Sequence, residues 1–156
     1  MTEGFSGEGS PTDDPVVTAR VVRRFNAPVE RVFDAWLDQR SVGRWLFATA
    51  DGTVVRAELD PRVGGRYTIV DNRAGEDALH TGKYLEIDRP RRLMFTLAVD
   101  EDSTAADRVT VEFEPRGERE SELAITHVMD PEYAEFVERT ETGWRGVLDR
   151  LAEVVA

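Results

Sequence analysis

The hydrophobic period of this chain changes once, and that change limits the folds open to it. Between Asp51 and Val128 apolar residues recur at every second position. From Glu132 onward Tyr133, Phe136, Val137, Thr140, Trp144, Val147, Leu148, Leu151, Val154 and Val155 recur at steps of three and four. The first pattern predicts strands with one buried face. The second predicts one amphipathic helix, about 35 Å long at ~1.5 Å per residue. A sheet with one apolar face and a helix with one apolar stripe must cover each other. The expected class is α+β, with a curved antiparallel sheet of about six to seven strands wrapped around a long C-terminal helix.

The stretch before Asp51 adds three elements. VVTARVVRRF, from Val16 to Phe25, is rich in β-branched residues and predicts a first strand. Asn26-Ala27-Pro28 ends it. Val29, Val32, Phe33 and Trp36 follow at helical spacing, with Pro28 tolerated in a first turn. Ser41 is the expected cap of a second short helix carrying Trp45 and Leu46. Met1 to Asp14 is rich in Gly, Ser, Glu and Pro, so a disordered tail is expected over 1–14 and a single domain over 15–156.

The 156 residues include no cysteine and two histidines, His80 and His127, so no thiolate site or zinc signature can be drawn. No metal and no cofactor are expected. The net charge of −11 disfavours phosphate backbones and anionic lipid, so nucleic acid is not an expected partner. The sequence contains no apolar run of about 18 residues, so no membrane insertion is expected. With no secretory signal at the N-terminus, a cytoplasmic location is expected.

Individual residues then divide between packing and chemistry. Gly64-Gly65 precedes a strand rather than a helix, so it reads as a turn needing positive φ and not as a phosphate loop. Trp36 belongs to the apolar face of the first helix. Gly143 and Gly146 interrupt the long helix and suggest close backbone approach to the sheet or a mild bend. His127 shares a strand face with Leu123 and Ile125 and reads as a hydrogen-bonded core residue. By alternation His80, Gly82, Tyr84 and Glu86 share one face, which is either the concave wall or the solvated side; both readings stand on the sequence. No serine sits in a nucleophile elbow, and no carboxylate dyad can be named.

Seven segments in order carry a resemblance: FNAPVERVFDAWLD, RWL, DPRVGGRY, TGKYLEIDRPRRLMFTL, VTVEFEP, ELAITH and GWRGVLDRLAEVV. Together they resemble the SRPBCC superfamily of START-like, helix-grip domains, and most of all the homologues of the activator of the heat-shock-protein ATPase. The resemblance covers Val16 to Val155. It implies a hydrophobic cavity between the sheet and the long helix, of roughly 300–1,000 Å³. The expected lining is Trp45, Tyr67, His80, Tyr84, Phe95, Phe136 and Trp144. The leading expectation is non-catalytic binding of a small hydrophobic molecule, lipid-like or polyketide-like, by a monomer or weak dimer. The alternative is a cyclase-like enzyme acting on an apolar carbonyl compound, for which His80, Tyr84 and Arg66 are the candidates. A third reading is a protein-binding module with a chaperone or other protein partner. The namesake cochaperone has a large additional N-terminal domain, so its activity is not expected to follow from the resemblance.

Overall fold

Alternation along Val17–Phe25 turns Ala19, Val21 and Phe25 inward, and this segment forms β1. In the computed structural model the described residues are 16–49, 52–99 and 106–156. The expected tail over 1–14 lies outside them. After β1 the backbone of Pro28, at φ −59°, leads into α1 (Val29–Ala35), which buries Val29, Val32 and Phe33. The next helix, α2 (Gln39–Val42), corrects the expected cap. Asp38 takes that role, accepting from the Arg40 N–H at 3.0 Å, while the Ser41 hydroxyl donates to the other Asp38 oxygen. The helix is therefore shorter than expected, and Trp45 and Leu46 lie in the turns beyond it.

Six further strands follow among the described residues: β2 (Gly52–Leu59), β3 (Arg66–Arg73), β4 (Glu76–Asp88), β5 (Arg92–Leu97), β6 (Asp107–Pro115) and β7 (Ser121–Met129). They join β1 in one antiparallel seven-stranded sheet of order β1-β7-β6-β5-β4-β3-β2. Register shifts at Val54/Arg56 and Tyr84/Glu86 bend it locally. The second shift also corrects the expected alternation. One extra residue after Tyr84 carries Glu86 opposite Met94, while Tyr84 stays opposite the buried Phe95. At Gly82 an added Cβ would stand 1.9 Å from the Thr96 carbonyl oxygen, so only glycine permits this approach of β4 to β5. Gly64 has φ +87°, the conformation the turn reading required.

The C-terminal segment is not one continuous helix. Asp130 accepts from the Glu132 N–H, and Pro131–Phe136 winds as a 3₁₀ segment in which Tyr133 leaves helical geometry at φ −99°, ψ 16°. The α-helix proper, α3, runs Val137–Val155, about 28 Å at ~1.5 Å per residue. Leu148 and Leu151 pack with Leu93, Val111, Leu123 and Ile125 of the sheet in the same buried core. Each such side chain contributes roughly 1.5–3 kcal/mol on burial. The helix also covers the β1 edge: Glu141 accepts the Arg20 backbone N–H, and Asp149 pairs with Arg23.

Candidate functional site

Core packing is complete along the second half of α3 but not along the first. Phe136 and Thr140 are only half-buried, and Gly143 has no side chain to offer. A Cβ built on Gly143 would meet nothing within 4 Å, so the glycine faces open space rather than a close-packed sheet. Beside it lies a cavity of about 1200 Å³, somewhat larger than expected. Its apolar wall includes Leu97 and Met129 from the sheet side and Phe136, Trp144 and Val147 from the helix side.

One end of the cavity is aromatic and polar together. Phe47 stands in the left-handed region at φ +59°, a costly conformation for a bulky residue. There its ring stacks on the His80 imidazole with centroids 4.3 Å apart and planes 4° from parallel, and it lies 5.7 Å from Trp144. Burial, with the Arg73 guanidinium nearby, pushes His80 down to about 4, so its imidazole is neutral at physiological pH. Asp71 is fully buried at an inward position of β3; it accepts from Thr49 Oγ1 and from Arg73 Nε, both at 2.8 Å.

The second histidine is engaged on both sides. Trp144 Nε1 donates to His127 Nδ1 at 2.9 Å, and His127 Nε2 lies 2.8 Å from Asp107 Oδ2. An indole nitrogen only donates, so Nδ1 carries a lone pair and Nε2 carries the proton that Asp107 accepts. His127 is thus the buried, hydrogen-bonded residue its strand position suggested, and both of its nitrogens are occupied.

The seven expected lining residues divide into two groups. His80, Phe136 and Trp144 lie on the cavity wall. Trp45, fully buried, packs edge-on against Trp36 at 4.8 Å within the core. Tyr67, Tyr84 and Phe95 form a contiguous aromatic layer in the core, with ring centroids 5.6–5.7 Å apart. The Tyr67 hydroxyl donates to the Thr96 carbonyl at 2.7 Å, and burial pushes the Tyr67 and Tyr84 phenols up. Arg66 is exposed, adjacent to inward-facing Tyr67 on the opposite face of β3. Sequence reasoning missed Phe47, Asp71 and Arg73. The two charged residues had a signal, since both occupy the inward phase set by Tyr67 and Ile69. Phe47 had none, because its place depends on a backbone conformation.

A seven-stranded antiparallel sheet gripping a terminal helix, with a cavity left between them, defines a helix-grip domain of the α+β class. The family model for Activator of Hsp90 ATPase homolog 1-like proteins matches residues 26–156, and the chain belongs to that family. Among solved structures it is similar to protein CV1439 from Chromobacterium violaceum, at 27% identity and a TM-score of 0.77, covering 88% of this chain and 96% of that one. It also shares its fold with an AHSA1-like protein from Aeromonas hydrophila, at 22% identity and a TM-score of 0.71, covering 86% of this chain and 90% of that one. A protein of unknown function from Staphylococcus aureus, SA2116, is 20% identical with a TM-score of 0.75, covering 92% and 96%. The comparison with curated proteins gave no match.

Proposed function

We propose that this domain binds a small hydrophobic molecule in the cavity between the sheet and α3, without transforming it. The observation that carries this reading is the cavity itself: about 1200 Å³, with Phe47, Phe136, Trp144, Leu97 and Met129 on its wall. That is ample for a ligand of a few tens of heavy atoms. In this reading His80, Phe136 and Trp144 touch the ligand, while Trp45, Tyr67, Tyr84 and Phe95 form the packed layers that hold the wall in place.

Binding is favoured over catalysis by the state of the two histidines. A general base at neutral pH needs a free nitrogen or carboxylate that titrates near neutrality. His80 is too weak a base, and both nitrogens of His127 are already bonded. Of the cyclase candidates, Arg66 is exposed and Tyr84 is buried away from the wall.

The test is native mass spectrometry of gently purified protein, paired with uptake of Nile red, a neutral apolar dye. A co-purifying small molecule, or saturable dye uptake that quenches or shifts Trp144 fluorescence, is expected. Protein that carries no ligand and takes up no apolar probe overturns the reading.

A further inference from the structure

Asp71 and Arg73 form a charged pair that core packing does not call for. Both sit at inward positions of β3, where Tyr67 and Ile69 are buried apolar neighbours in the same phase. A buried carboxylate costs several kcal/mol unless it is paired, and an apolar residue at such a position is commonly as stable or more so. The pair has a geometric effect instead. Asp71 takes the Nε side of the guanidinium at 2.8 Å, and the Phe47 carbonyl takes one Nη2 proton at 3.4 Å. Nη1 makes no hydrogen bond to any described residue. Nη1 and the second Nη2 proton are therefore held in orientation with no partner among the described residues, on a side chain that is 44% exposed and lines the cavity.

We propose that the ligand of this cavity is an apolar organic acid whose carboxylate pairs with the free edge of Arg73. Two parallel N–H donors match two carboxylate oxygens, which is the bidentate geometry that guanidinium supports and ammonium does not. Neighbouring cations fit the role less well. Arg150 donates back to the Gly146 carbonyl at 2.9 Å, and Arg108 lies on the exposed phase of β6. Neutral His80 lends the site no competing positive charge. The protein as a whole carries a net charge of −11, so its overall field repels anions. Selection for a carboxylate must then come from a local, oriented donor.

This inference rests on the reading of the cavity as a hydrophobic-ligand site, and one experiment separates the two. Nile red bound to the intact protein is displaced at pH 7.5 by decanoate or by decanol, which share a chain and differ in the head group. Decanoate is expected to compete at least about tenfold better, which corresponds to about 1.4 kcal/mol. In Arg73→Gln the preference should fall to within about threefold, and Arg73→Lys, which keeps a charge partner for buried Asp71, should also lose most of it. Equal displacement by both compounds in the unaltered protein overturns the carboxylate proposal and leaves the cavity reading standing. A preference that survives in Arg73→Lys also overturns it. Failure of the dye to bind overturns both.

Discussion

The Trp144 indole N–H points at Nδ1 of His127 from 2.9 Å and so decides which nitrogen of that ring carries the proton. A ring protonated at both nitrogens would set one donor against another. The helix and the last strand are thereby joined through a doubly hydrogen-bonded histidine beside the cavity. Long-range proton–nitrogen correlation spectra at neutral pH should show His127 with Nε2 protonated and Nδ1 bare. Protonated Nδ1 would contradict the arrangement. His127→Leu leaves the buried indole N–H without a partner and should cost roughly 1–3 kcal/mol in urea denaturation.

His80 makes stability depend on pH in a definite direction. Its folded value of about 4 lies below the ordinary value of 6.5, so between these limits the unfolded chain binds more protons than the folded one. Stability should fall as the pH drops from about 6.5 to about 4, by on the order of 3 kcal/mol from this group. His80→Phe, which keeps a ring against Phe47, should flatten that part of the profile. Parallel profiles for the two proteins would remove His80 as the cause.

Gly143 separates cavity volume from stability. Because a Cβ there meets nothing, Gly143→Ala should raise stability by about 0.5–1 kcal/mol, the ordinary gain at a helix interior. Gly143→Leu should keep a melting temperature at or above that of the unaltered protein, yet weaken Nile red uptake by at least about threefold because the side chain enters the cavity. Undiminished uptake would place the dye elsewhere.

Gly82 carries the opposite expectation. Its absent Cβ would lie 1.9 Å from the Thr96 carbonyl oxygen, the same atom that accepts from the Tyr67 hydroxyl. Gly82→Ala must push β4 and β5 apart and should cost on the order of 1–3 kcal/mol. A denaturation midpoint equal to that of the unaltered protein would mean that the sheet yields there without strain.

Periodicity made the sheet and its helix legible. Val109, Val111 and Phe113 announced their buried face by strict alternation, and Trp144, Val147, Leu148 and Leu151 did so at helical steps. What failed was local. Pro131 and the preceding Asp130 started a 3₁₀ segment that three- and four-residue spacing cannot distinguish from an α-helix. The bulge after Tyr84 reversed the phase of Glu86, and no residue type there advertises an inserted position. At the site, aromatic content alone could not sort Trp45 in the core from Trp144 on the wall. Both are large, apolar and next to a turn or a glycine. Both rings touch Trp36, and only the position of the cavity, which Trp144 lines and Trp45 does not, separates them.

The pairing of β1 with β7 has a consequence in time. Val17 lies opposite Met129, and Phe25 lies opposite Ser121. The first strand among the described residues therefore waits for the last of them, about a hundred residues later, and for the helix whose Glu141 and Asp149 close its outer side. At roughly 5–20 residues per second, a ribosome takes some 5–20 s to deliver that partner. Throughout that interval Ala19, Val21 and Phe25 have no sheet to join. A nascent chain of this design carries the apolar face of β1 without its sheet partner until Ser121–Met129 has been made.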